Sequence, residues 1–174
     1  MADTLLLIED ESLLGAELAR HFRRGEWDVI LATDLASARR ALVDDELAPL
    51  VVVSDMALPD GNALDLLAAV RESAGGGEWI FLTGYGSVAD SVRALRLGAY
   101  DFLEKPCDQK RLDLVVAGAA RSARAQRQLN EQARHVAAHK SCRTCNQYQQ
   151  TGRPLDGAKT RATQEKIRAV RIFN

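Results

Sequence analysis

No apolar run in this 174-residue chain exceeds about six residues, whereas a membrane-spanning helix needs about 20. No membrane segment is expected. The N-terminus, Met1-Ala2-Asp3-Thr4, carries no base, and Glu9 interrupts the first apolar run too early for a secretory leader. Those features point to a cytoplasmic protein. Cysteine is scarce, with only Cys107, Cys142 and Cys145, which argues against a disulfide framework. No G-x-x-x-x-G-K-[ST] phosphate loop is present, so P-loop ATP chemistry is excluded.

Hydrophobic residues make up 47% of the chain and charged residues 27%, the balance of an ordinary globular protein. Its size suits one well-buried domain plus a tail. A net charge of −1 conceals two opposite halves. Residues 1–120 hold 21 acids and 11 bases, residues 121–174 hold 3 acids and 12 bases, and the apolar strands fall in the acidic part. The basic end could contact a polyanion, or form a solvated helix face and a poorly ordered terminus.

Short apolar runs rich in Leu, Val and Ile alternate with helical patterns. Strands are expected at Thr4–Ile8, Asp28–Ala32, Leu50–Ser54, Trp79–Leu82 and Asp101–Glu104. A helix over Leu13–Arg24 carries Leu14, Leu18 and Phe22 on one face, with Ser12 as its cap and Gly25 as its stop. Asp34 caps the second helix, and Pro59-Asp60-Gly61 marks a tight turn before the third, which carries Leu66, Leu67 and Val70. A fourth helix covers Val88–Leu97. A fifth begins near Asp108 with Leu112, Val115, Val116 and Ala119 facing inward. The pattern is that of an α/β protein with a doubly wound five-stranded parallel sheet. Arg121 to Lys140 has no Gly or Pro and continues the fifth helix as an extension. Its apolar positions (Ala123, Leu129, Ala133, Val136) are sparse for a coiled-coil seam. Beyond it, 141–174 reads as a basic tail of low order.

The strand ends carry the chemistry. Leu5–Ile8 runs into Glu9-Asp10, the third strand into Asp55, the fourth into Thr83, and the fifth into Lys105-Pro106. Function in such sheets gathers beyond the carboxyl ends of the strands, at the switch point of a flavodoxin-like order 2-1-3-4-5. In that order Glu9, Asp10 and Asp55 share one acidic cleft. Crowded carboxylates repel unless a cation joins them, and hard oxygen ligands suit Mg²⁺. Held there, the ion could neutralise a phosphoryl oxygen while Asp55 attacks phosphorus and Lys105 adds a point charge. Singly, each residue has a plainer reading: acids opening a helix, a turn cap, a surface lysine.

Together, Leu6-Leu7-Ile8-Glu9-Asp10-Glu11, Ser54-Asp55-Met56-Ala57-Leu58-Pro59-Asp60-Gly61, Leu82-Thr83-Gly84-Tyr85-Gly86 and Gly98-Ala99-Tyr100-Asp101-Phe102-Leu103-Glu104-Lys105-Pro106 resemble the receiver domain of two-component response regulators. The last two stretches are closest to receivers of sigma-54-dependent, NtrC-like activators. The resemblance covers about Leu5 to Ala120. It implies Asp55 as phosphoacceptor, with Mg²⁺ held by Asp10, Asp55 and the Ala57 backbone carbonyl and by Glu9 through water. It also implies Thr83 and Phe102 as a switch pair, Lys105 as the phosphate-binding lysine, and a cis Lys105–Pro106 bond. The partner would be a histidine kinase or phosphotransfer protein. Phosphorylation would reshape the surface of the fourth helix, fifth strand and fifth helix, favouring a homodimer there or through the helical extension. Such a protein is a phosphoacceptor regulator and not an enzyme in the usual sense.

The 35 residues after His139 leave no space for an ATPase module. The expectation is therefore a receiver of residues 1–120, a helical extension over 121–140 and a basic tail over 141–174. A truncated sigma-54 activator, or a small DNA-binding regulator using the tail, are the alternatives. Only one short helix fits after Pro154, however, where a helix-turn-helix needs two. His135, His139, Cys142 and Cys145 have the types of zinc ligands, but they crowd together without the usual intervening loop. Two rival classes fit less well. An aspartate-nucleophile phosphatase needs a second Asp at position 57, which is Ala. A flavodoxin would meet repulsion between its phosphate and Glu9-Asp10-Glu11.

Overall fold

The structure is a computed structural model that describes residues 3–44, 47–72, 77–84 and 88–151, with side chains at all of these but 72, 88, 89 and 138–151. The elements run β1 (Thr4–Ile8), α1 (Ser12–Arg24), β2 (Asp28–Ala32), α2 (Leu35–Arg39, continued by a π turn over Arg40–Asp44) and β3 (Val51–Asp55). There follow β4 (Ala57–Leu58), β5 (Gly61–Asn62), α3 (Ala63–Glu72), β6 (Glu78–Thr83), α4 (Val88–Arg96), β7 (Asp101–Glu104) and α5 (Gln109–Thr151). Five parallel strands form one sheet in the order β2-β1-β3-β6-β7, which is the expected 2-1-3-4-5 arrangement once the small β4–β5 hairpin is set aside.

Alternation along the strands divides the core in two. Leu5, Leu7, Val51, Val53, Ile80, Leu82 and Leu103 face Leu18, Ala19 and Phe22 of α1 and Leu112, Val116 and Ala119 of α5. Leu6, Ile8, Val52, Trp79 and Phe81 face Ala38 and Leu42 of the α2 segment, Leu64, Leu67 and Val70 of α3, and Ala94 of α4. Because both sheet faces are covered, the strands read as unbroken apolar runs. Each fully buried Leu or Ile contributes about 1.5–3 kcal/mol of burial free energy.

Local chemistry matches most of the expected boundaries. Asp34 caps α2, accepting from the Ser37 amide at 2.6 Å, and this bond holds its carboxyl below the usual range. Gly25 closes α1. Ser12, expected as the cap of α1, is instead its first residue. Glu11 stands at the cap, and its side chain makes no capping bond. The Pro59-Asp60 turn joins β4 to β5, a two-rung antiparallel hairpin. Lys105–Pro106 is cis.

The first compact unit is Met1–Gln128 and the second Leu129–Asn174. Within the first unit, polar contacts continue along α5 beyond residue 120. Arg124 pairs with Asp3, Arg127 donates to the carbonyls of Ala48 and Pro49, and Ser122 donates to Glu78. Helix α5 runs on to Thr151, past the Lys140 end that composition suggested. No Gly or Pro interrupts Ser141–Thr151, and Gly152 is the first breaker. The basic residues from 152 onward lie outside the described residues. Among those described, no helix is long and apolar enough to cross a membrane.

Gly15 offers a test of packing in α1. A methyl added there would sit 3.4 Å from Leu31 Cδ1 and 3.5 Å from Glu9 Cβ, which are ordinary contacts. Gly15→Ala is therefore expected to stabilise the protein by up to about 1 kcal/mol, the helix-propensity difference, seen as a higher urea midpoint. A lower midpoint would show that α1 needs the gap.

Candidate functional site

The same alternation that sorts the core selects the site. Carried to the end of β3 and one step past β1 and β7, the face with Leu7, Val53 and Leu103 presents Glu9, Asp55 and Lys105. The Lys105 ammonium lies 2.7 Å from Glu9 Oε2 and 2.7 Å from Asp55 Oδ2, bridging two carboxylates. Glu9 is almost wholly buried at 1% exposure, and its second oxygen accepts from the Glu11 amide at 3.3 Å. Asp10 is exposed at the rim. One oxygen each from Glu9, Asp10 and Asp55 lie within 4.8 Å of one another.

Burial pushes the Glu9 carboxyl above its ordinary 4.5. The hydrogen bond and charge of Lys105 oppose that shift without cancelling it, and the Asp55 charge adds to it. For Lys105, burial works against the charge, but the hydrogen bonds and charges of Asp55 and Glu9 outweigh it and hold the ammonium above its usual value. A part-buried, paired cation thus stands between two strand ends. Burial also raises the Cys107 thiol, which disfavours its thiolate.

The Ala57 amide donates to Asp55 Oδ1 at 3.3 Å, so residue 57 follows Asp55 round the start of the hairpin. Thr83 is buried at the end of β6, one step beyond the Asp55–Leu82 register pair, and its carbonyl accepts from the Lys105 amide at 2.7 Å. Phe102 is half-buried beside Phe81 on the opposite sheet face, the one packed by α2, α3 and α4. The structure therefore gathers Glu9, Asp10, Asp55 and Lys105, and sets Thr83 and Phe102 along the adjoining strands. Of the suggested zinc ligands, His135 is exposed on α5, and the side chains of His139, Cys142 and Cys145 lie outside the described residues.

Two contacts were not foreseen from the residues. Lys105 salt-bridges Glu9 as well as Asp55, and Asp60 reaches back to α2. Strand parity could have revealed the first. The second depends on how the hairpin docks, and no local pattern announces it.

Comparison with known proteins agrees with this geometry. The model of the response regulator receiver domain matches residues 5–117. The chain belongs to the response regulator receiver family. It is 37% identical over 105 residues to the photosynthetic apparatus regulatory protein RegA of Rhodobacter capsulatus, covering 60% of this chain and 56% of RegA. It is 34% identical over 116 residues to the response regulator protein PilR of Pseudomonas aeruginosa, covering 67% of this chain and 26% of PilR. The receiver thus spans little more than half of RegA and about a quarter of PilR. Among solved structures it is similar to the beryllofluoride-activated NtrC4 receiver domain dimer, with a TM-score of 0.64 and 29% identity, covering 69% of this chain and 98% of that one. Receivers of NtrC-like activators are among its relatives, and its place is in two-component signalling.

The acidic cleft suits a divalent cation, because its donors are hard oxygens clustered within a few ångströms of one another. Without added cation, the buried Glu9 makes a testable contribution to stability. Its raised folded value means the folded state binds more protons there than the unfolded chain, so stability falls as pH rises above 4.5 through that value. Glu9→Gln is expected to remove this decline, measured as urea midpoints against pH in EDTA. An unchanged profile would mean that Lys105 compensates Glu9 fully.

Proposed function

We propose that this receiver accepts a phosphoryl group on Asp55 from the phosphohistidine of a histidine kinase or phosphotransfer protein, with Mg²⁺ in the acidic cleft. The observation that carries the reading is the Lys105 ammonium held 2.7 Å from both Glu9 and Asp55, beside a third carboxylate, at the ends of neighbouring parallel strands. Asp10, Asp55 and the Ala57 carbonyl would hold the ion directly, and Glu9 through water. When bound, the ion neutralises charge on the phosphoryl oxygens.

An Asp55 carboxylate oxygen forms the new bond to phosphorus as the phosphorus–nitrogen bond to the donor histidine breaks, and the imidazole nitrogen leaves with the electron pair. Lys105 is already in place to bind a phosphoryl oxygen, and Glu9 keeps it fixed after Asp55 is modified. The Thr83 hydroxyl donates to the new group. Phe102 turns inward as Thr83 moves, and the equilibrium of the α4–β7–α5 face shifts. Val92 and Leu95 of α4, Tyr100 and Leu114 are exposed around that face, which supports its use in a homodimer or partner contact. Leu129 and Val136, exposed on α5, offer the extension as a second dimer seam. The activity is that of a phosphoacceptor with only self-phosphorylation and self-dephosphorylation chemistry, in the cytoplasm where such kinases present their phosphohistidine. Transcription control by the longer protein, including DNA contact by the basic tail, is the output this reading suggests.

Incubation with acetyl phosphate and Mg²⁺ is expected to add one phosphoryl group, seen as a mass shift, and Asp55→Asn is expected to abolish it. Lys105→Met should retain Asp55 yet lose the structural response, read as an unchanged oligomeric mass after phosphorylation. Acid-stable labelling that survives in Asp55→Asn would remove Asp55 from the role.

A further inference from the structure

We propose that Asp60 is a positioning residue for the cation site, tying the hairpin that carries Ala57 to the start of α2; this rests on the reading of the cleft given above. The hairpin is too short to stand by itself, with only the rungs Ala57↔Asn62 and Leu58↔Gly61. Its base is fastened to the sheet by the Met56 amide donating to the Leu82 carbonyl, and is closed by the Ala63 amide donating to the Met56 carbonyl, each at 3.0 Å. Its tip is fastened by Asp60 alone among the side-chain contacts described. Oδ1 accepts from the Leu35 amide at 2.9 Å and Oδ2 from the Ala36 amide at 2.9 Å.

Those two amides are among the donors that a helix start leaves without intrahelical partners, and the positive end of the helix favours a carboxylate. Asp34 already takes the Ser37 amide, so α2 has its own local cap. What Asp60 adds is therefore the link across 25 residues between α2 and the hairpin. The docking is close. Gly61 adopts φ +146°, and a Cβ there would lie 3.1 Å from Leu35 Cδ1. A side-chain ligand can adjust through its rotamers, but the Ala57 carbonyl moves only with the backbone. Site geometry has to hold within about 0.5 Å, and Mg²⁺ tolerates little departure from octahedral order. Fixing both ends of the hairpin supplies that accuracy. Asp60 acts through Ala57 and does not touch the ion.

The test uses the full chain with Mn²⁺ as the probe, following the electron paramagnetic resonance signal of the free ion. Asp60→Ala is expected to weaken Mn²⁺ binding on the order of tenfold, as loss of a supporting outer contact does. Asp60→Asn, with one acceptor oxygen in place of two, should recover part of the loss, and urea midpoints should show both variants fully folded under the binding conditions, so that the weakening belongs to the site. Wild-type affinity in Asp60→Ala would overturn the inference and leave the cleft's reading intact. Failure of the wild-type chain to bind Mn²⁺ would overturn both. Should Asp60→Ala not fold, Asp60→Asn decides alone, and undiminished affinity there overturns the inference.

Discussion

The arrangement of this receiver depends on one ion-pair cluster, the Lys105 ammonium set between Glu9 and Asp55. Three carboxylates converge where β1 and β3 end, and one of them is almost wholly buried. Unpaired, such charges would repel one another and lack solvation. The lysine arrives from β7, two strands away from β3 in the sheet, so the cluster joins the strand ends across the top of the fold. Its benefit to stability is incomplete, as the raised Glu9 carboxyl shows. A site kept slightly short of positive charge is one that a divalent cation can complete.

The sheet beneath explains how that cluster is held. Strand alternation sends Leu7, Val53 and Leu103 into the core shared with α1 and α5, and the next residue on the same face in each case is Glu9, Asp55 or Lys105. The charged groups thus inherit their aim from apolar packing one step below. The opposite face, packed by α2, α3 and α4, takes Phe81 and Phe102. Small loops then refine the site. The β4–β5 hairpin is attached to β6 at its base and to α2 at its tip, which brings α2 into the support of residue 57.

Much of this was legible in the residues. The five runs located the strands to within a residue or so, most clearly for β1, β3 and β6, whose apolar residues are buried on both faces. Asp34, Gly25 and the Pro59-Asp60-Gly61 turn were readable because caps and turns are local chemistry. Ser12 misled: it is a good cap type, but the chain enters α1 with Glu11 at that position. Helix α5 reaches Thr151 because no breaker interrupts it there, although the polar composition past Lys140 points to low order. Asp60 looked like a turn residue and nothing more, and its partners lie 24 and 25 positions earlier in the chain.

Composition and periodicity alone settled the fold class, the strand positions and the residue types at the strand ends, since these follow from burial patterns of a few consecutive residues. The order β2-β1-β3-β6-β7 follows the expected 2-1-3-4-5 pattern, but the partnership of Lys105 with a glutamate 96 positions away is a different matter. So is the docking of the hairpin on α2. Each is a contact between distant segments whose energy exists only once the sheet has assembled, and no local pattern of side chains encodes which distant group will be nearest.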